Sequence, residues 1–169
     1  MINEQEAIQI ARDYFLTEEN IYGCAETTFM TFKSIYGLSD PTESASAMVL
    51  NGGVAYSGGM CGAISGAAMA VGMLAEERIS DHKQAKSTAR RIIMRYMQAF
   101  DDKYQSVNCG DLIQLDISQE DQHHQFIESG IWRKVCMDQI EYAIKQLYNL
   151  QDETIWRQVV QEVNPAALD

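Results

Sequence analysis

Apolar residues recur at helical spacing along most of the chain. In the first segment Ala7, Ile10, Ala11, Tyr14 and Phe15 share a face. Asn3 is placed to cap that segment and Glu6 to close a capping box, which predicts a helix over 3–16. The turn Asn20-Ile21-Tyr22-Gly23 leads into a second helix over 24–36, ended by Gly37. Its Phe29, Phe32 and Tyr36 read as core. Pro41 places 38–42 in a loop, and a short helix is predicted over 43–50. A glycine cluster at 51–59 precedes a helix from Cys61 to about Glu77. Gly62, Ala63, Gly66, Ala67 and Ala70 cover much of that helix with small side chains, which let other backbones come close and mark the centre of a bundle. Asp81 caps a long helix to Tyr104, with Ile92, Ile93, Tyr96, Met97 and Phe100 inward and Arg90, Arg91 and Arg95 solvated. Short helices are predicted over 109–115 and 119–128. A strong amphipathic helix over 132–147 carries Cys136, Ile140, Ala143, Ile144 and Leu147, and a last helix covers 154–163. No repeat, low-complexity tract or domain boundary interrupts this order, and Val54 to Tyr56 is too short for a sheet. The expected fold is all-α: a compact helical bundle forming one domain over 1–169, with a buried small-residue central helix.

Composition supports this and narrows the function. The chain has 169 residues, 46% of them apolar and only 2 of them proline, enough for one core and too few turn residues for an all-β fold. A formal net charge of -11 repels nucleic-acid phosphates and anionic lipid. It serves solubility and also suits a cationic redox partner protein. Residues 44–75 contain no charge, yet the glycines break the stretch and much of the rest is Ala, Gly and Ser. A tightly packed buried helix is expected there, not membrane insertion. The opening MINEQEAIQIARDYF has no basic region followed by an apolar one, so no secretory signal is read and the expected compartment is the reducing cytoplasm. Four cysteines in that setting point to ligands or redox thiols before structural disulfides.

No two cysteines form a C-x-x-C pair, which disfavours zinc ribbons, ferredoxin runs and thioredoxin-type motifs. For Cys24, Cys61, Cys109 and Cys136 to act together, four separate elements must converge, as facing helices of a bundle can. Cys24, Cys61 and Cys109 each stand at a predicted helix start, where free N–H groups and a positive partial charge favour thiolate and lower the pKa. Cys136 lies within its helix. The plain alternative for any one of them is burial as a small hydrophobe.

The segment Cys61-Gly62-Ala63-Ile64-Ser65-Gly66 reads C-G-A-x-x-G, with one cysteine upstream in Gly23-Cys24-Ala25-Glu26 and two downstream. In this the chain resembles the C_GCAxxG_C_C family of redox-active proteins, from about Tyr22 to Ala143. The resemblance implies a helical domain with four functional cysteines, here Cys24, Cys61, Cys109 and Cys136, often encoded near transporter genes. A similar domain in a split-Soret-type cytochrome is associated with an iron–sulfur centre. That cytochrome's haem attachment has no counterpart, because no C-x-x-C-H occurs. Many members place a basic and an acidic residue after the third cysteine, where this chain has Gly110-Asp111.

Three functions use the same four residues. The first is a small iron–sulfur cluster, [2Fe–2S], for electron transfer or redox sensing. The second is a metal-free thiol–disulfide oxidoreductase, with Cys61 attacking and Cys24, Cys109 or Cys136 resolving. The third is a zinc or Cu(I) carrier or sensor linked to a transporter. Whether the protein is an enzyme stays open. A homodimer would follow from an exposed apolar face on the small-residue helix. Among other residues, His123-His124 in a polar stretch and His82 beside Asp81 read as solvated. Glu26 reads as favourable charge at a helix start, with proton acceptance near the cysteines as the sharper alternative. Tyr22 and Tyr56 flank cysteine segments and can donate to sulfur, packing being the ordinary role. The glycines at 52, 53, 58 and 59 lack a G-K-[ST] ending and read as permitting unusual backbone angles. No Ser-His-Asp order or paired-carboxylate motif stands out.

Overall fold

The structure, a computed structural model, describes residues 1–168. Eight α-helices follow one another among them: α1 (Glu4–Phe15), α2 (Cys24–Tyr36), α3 (Gly62–Arg78), α4 (His82–Tyr104), α5 (Cys109–Ile113), α6 (Glu120–Glu128), α7 (Met137–Leu147) and α8 (Glu153–Val163). Their ends sit where local chemistry puts them. Asn3 and Glu6 form the capping box of α1, Asp81 accepts from the Gln84 N–H at the start of α4, and Gly37 ends α2 in the left-handed region at φ 70°.

The small residues decide the packing. Helix α3 lies between α2 and α4, and α7 closes over α1, α2 and α3. Gly62, Ala63, Gly66, Ala67 and Ala70 are all buried within the chain, so the face expected to offer a homodimer contact is already covered. At Gly66 α2 comes so near that a Cβ would stand 3.0 Å from the Phe29 nitrogen and closer still to the Ala25 carbonyl oxygen. Phe29, Phe32, Ile64, Val71, Leu74, Phe100, Ile140, Ile144 and Trp156 fill the space around it. Among the described residues no helix is long and apolar enough to cross a membrane.

Two expectations are corrected. Residues 43–50 form turns with a single 3₁₀ turn at Met48–Leu50, not a helix. The cause is Lys33, buried on α2, whose ammonium donates to the carbonyls of Asp40 (2.7 Å) and Glu43 (2.6 Å). Carbonyls turned toward a buried ammonium are not free to line up along a helix axis. The predicted helix over 132–147 begins instead with a π-type segment, Trp132–Cys136, before α7 proper. Such widened turns inside helices are frequent at functional sites.

Candidate four-cysteine site

The site is assembled around the glycine loop. Glu26 accepts from the Gly23 N–H (2.9 Å) and from Asn51 Nδ2 (2.8 Å), and Asn51 Oδ1 accepts from the Ala25 N–H (2.9 Å). Glu26 therefore clamps the loop to the start of α2, a structural role consistent with the simpler reading of that residue. Beyond Asn51 the chain makes a left-handed turn: Gly52, Gly53, Val54, Ala55 and Tyr56 all have positive φ, between 52° and 75°. A β-branched residue such as Val54 adopts this region only at a cost, which the surroundings must offset. The chain then runs antiparallel to 107–110. The Cys61 N–H donates to the Val107 carbonyl (2.8 Å) and the Cys109 N–H to the Gly59 carbonyl (2.6 Å), about a bridge between Met60 and Asn108. This two-stranded contact puts Cys61 opposite Val107 and Cys109 opposite Gly59, diagonal to each other on one side of the bridge.

Cys24 opens α2 and Cys61 caps α3. The N–H groups of Gly52, Ala25 and Gly62 face the Cys24 sulfur and favour its thiolate. Gly62 must lack a side chain for this, since a Cβ there would overlap the Cys24 sulfur and stand 2.8 Å from the Ala25 nitrogen. Cys24, Cys109 and Cys136 line a cavity of about 70 Å³ together with Asn51, Tyr56 and His123. That is room for a handful of atoms, well below the volume a nucleotide or other organic cofactor takes. Cys61 lies just behind, 2% exposed, its thiol donating to Gln139 Oε1 at 3.4 Å. Charge on Cys24 or Cys109 opposes ionisation of Cys61, and charge on any of these three opposes ionisation of Cys136. The structure thus places three of the four sequence-predicted cysteines on one cavity, with Cys61 behind it and within electrostatic reach of Cys24 and Cys109.

Their electrostatics reverse the expectation. Helix starts were to lower the thiol pKa values, yet burial raises all four, to about 12 for Cys109 and well above the usual range for Cys136. Cys61, expected as an exposed attacking thiolate, is the most enclosed. Desolvation outweighs its N–H contacts from Ala63 and Ile64. None of the four cysteines is joined to another by a disulfide in the structure. Among the described residues no three His, Cys, Asp or Glu side chains gather tightly enough to hold one metal ion.

His123 also departs from expectation. It is half-buried, lines the cavity and packs its ring on Tyr56 at 5.1 Å, whereas His124 is exposed. His82 is exposed, as expected, and pairs with Glu76 at 2.9 Å. Tyr22 packs edge-on against Tyr14. Sequence reading missed Gln139, although its place one helical turn after Cys136 was a usable signal.

No curated protein and no solved structure matches the chain. One family does: its sequence model, described as "Putative redox-active protein (C_GCAxxG_C_C)", matches residues 22–150, from just before the first cysteine to beyond the fourth. By that match, which spans well over half of its length and all four cysteines, the chain belongs to the C_GCAxxG_C_C family of redox-active proteins.

Proposed function

We propose that Cys24, Cys61, Cys109 and Cys136 hold a small iron–sulfur cluster, [2Fe–2S], that serves electron transfer or redox sensing. The observation that carries this reading is that Cys24, Cys109 and Cys136 line one cavity of about 70 Å³, with the buried Cys61 close enough for charge on Cys24 or Cys109 to act on it. Four thiolates at low dielectric repel one another and need a compensating cation, whereas four neutral thiols do not bind iron. In a [2Fe–2S] centre each iron takes two protein thiolates, so no three sulfurs need share an ion. A single four-coordinate zinc ion asks for a tighter group than the cysteines make. The metal-free oxidoreductase loses the feature it relied on, an exposed Cys61 of low pKa.

When bound, the cluster supplies one-electron transfer. The protein's own residues do the rest. The N–H groups of Gly52, Ala25 and Gly62 would stabilise negative charge at the Cys24 sulfur and so favour the reduced state. The Cys61 thiol, which donates to Gln139 Oε1, would lose that proton on ligation, and the Gln139 amide would have to turn its Nε2–H toward the sulfur. Phe15, Ile117, Phe126 and Trp132 keep the cavity apolar on its remaining sides.

The test is anaerobic purification followed by iron, zinc and acid-labile sulfide analysis and an absorption spectrum. About two irons and two sulfides per chain, with visible charge-transfer bands, are expected. Each Cys→Ser substitution should reduce that content. A protein free of iron and sulfide even after reconstitution would overturn the reading.

A further inference from the structure

The loop that walls the cysteine cavity and the segments beside it carry exposed apolar side chains. Ile21, Met48, Val49, Val54, Tyr56 and Ile127 are between 37% and 59% exposed. Tyr56 and Ile127 line the cavity, and Ile21 follows Asn20, which lines it too. Met48, Val49 and Val54 belong to one unit, because the Ala55 N–H donates to the Val49 carbonyl and the Val54 N–H to the Leu50 carbonyl. Large apolar groups collected at one place on a soluble surface mark an interaction site.

Charge says what kind of partner fits. Lys33 is the only Lys or Arg from residue 13 to residue 77, and it is buried; none occurs from 104 to 132. The cavity wall comes largely from these two stretches, which also place Glu18, Glu19, Glu120, Asp121 and Glu128 in solvent. Arg133, exposed just beyond the second stretch, lies over the Trp132 ring at 4.3 Å. A second copy of this chain would bring the same negative frame, and anionic lipid would be repelled as well.

We propose that loop 48–56, with Ile21 and Ile127, is a docking surface for a protein that presents an apolar spot ringed by lysine or arginine. The partner exchanges one electron with the cysteine centre beneath, through its own haem or flavin, and no atom is transferred. This exchange rests on the redox reading; the docking does not. The surface is mounted directly on the site, because the Gly52 N–H faces the Cys24 sulfur and Tyr56 walls the cavity.

The test is an NMR titration of the ¹⁵N-labelled full chain with ferricytochrome c as a lysine-ringed probe protein. Shift changes should concentrate on 21, 48–56 and 127. Binding should weaken about tenfold or more as salt rises from about 20 mM to about 300 mM. Met48→Ser with Val49→Ser should weaken binding at least about fivefold at unchanged net charge. Glu153→Lys with Glu162→Lys on α8 should change it little. Shifts spread over other faces, self-association at this loop without the probe, binding of anionic vesicles, or full binding by the serine variant would each overturn the docking surface. Iron and sulfide analysis of the same sample separates the two ideas. Loop shifts on a protein that takes up no iron keep the docking and overturn the exchange. A loaded protein without loop shifts overturns the docking alone.

Discussion

Gly66→Ala and Gly72→Ala are the same substitution six residues apart in one helix, and their effects should have opposite signs. At Gly66 the new Cβ would overlap the Ala25 carbonyl oxygen and stand 3.0 Å from both the Phe29 nitrogen and the Thr28 Cβ. Two of those atoms are backbone of α2, so no rotamer relieves the contact and α2 must move off α3. Overpacking of this kind costs about 1–3 kcal/mol, and a backbone obstacle belongs at the upper end. Against it stands the helix-propensity gain of alanine over glycine, about 1 kcal/mol. The net prediction is a loss of about 1–2 kcal/mol. At Gly72 no atom lies within 4 Å of the Cβ position, so only the propensity gain remains, about 0.5–1 kcal/mol of added stability. For a chain of this size each kcal/mol moves Tm by about 2–4 °C. Guanidinium unfolding followed by circular dichroism, on reduced and metal-free protein so that no bound group adds stability, reads both values. A Gly66→Ala protein as stable as the parent would refute the claim that α2 and α3 touch through their backbones.

Further expectations concern the loop and the thiols. Asn51→Ala removes the acceptor of the Ala25 N–H and a donor to Glu26, and should cost about 2–3 kcal/mol, with faster amide exchange across 48–59 as the local readout. Lys33→Met leaves the Asp40 and Glu43 carbonyls without their ammonium donor and should cost about 2–4 kcal/mol, measured by denaturant unfolding; unchanged stability would show that the lysine does not hold this turn. Metal-free protein should weaken as pH rises above about 8.5, because the buried thiols keep protons that the unfolded chain has already released. The slope is about 1.4 kcal/mol per pH unit for each such thiol, continuing for Cys109 until its raised pKa of about 12. Unfolding curves at neutral and alkaline pH check this, and stability that is level across the range would contradict thiol burial.

The helical order was legible because its signals are local. Asn3, Asp81 and Gly37 terminate helices through their own side chain or backbone, and those ends fall where they were read. The convergence of the cysteines was legible through the resemblance and through the small residues of α3, which allow close approach. What escaped was tertiary in origin. Lys33 is drawn under the 40–43 turn by carbonyls seven and ten residues away, and that contact replaces a helix the local pattern favours. Nothing in Val54-Ala55-Tyr56 announces a left-handed turn, since β-branched and bulky residues resist it; the clamp from Glu26 and Asn51 at its start and backbone hydrogen bonds along it, such as the Gly58 N–H to the Gly52 carbonyl (3.0 Å), hold it. The thiol pKa values were misjudged because a helix start supplies a few N–H groups, whereas full enclosure removes water from every side.

The bridge between Met60 and Asn108 has a consequence for the life of the chain on the ribosome. Residues that meet there are separated by all of α3 and all of α4, and the fourth thiol lies further on, at Cys136. Synthesis releases the chain from its N-terminus at about 5–20 residues per second. For about one to five seconds, then, the first three cysteines exist without the fourth, on a chain that has not closed its core. They are open to oxidation and to stray metal throughout that interval. A complete thiol set arises only once Cys136 has emerged and α7 can pack. Delivery of whatever group the site carries must therefore follow translation through that point, and a donor acting earlier would meet an incomplete set of ligands.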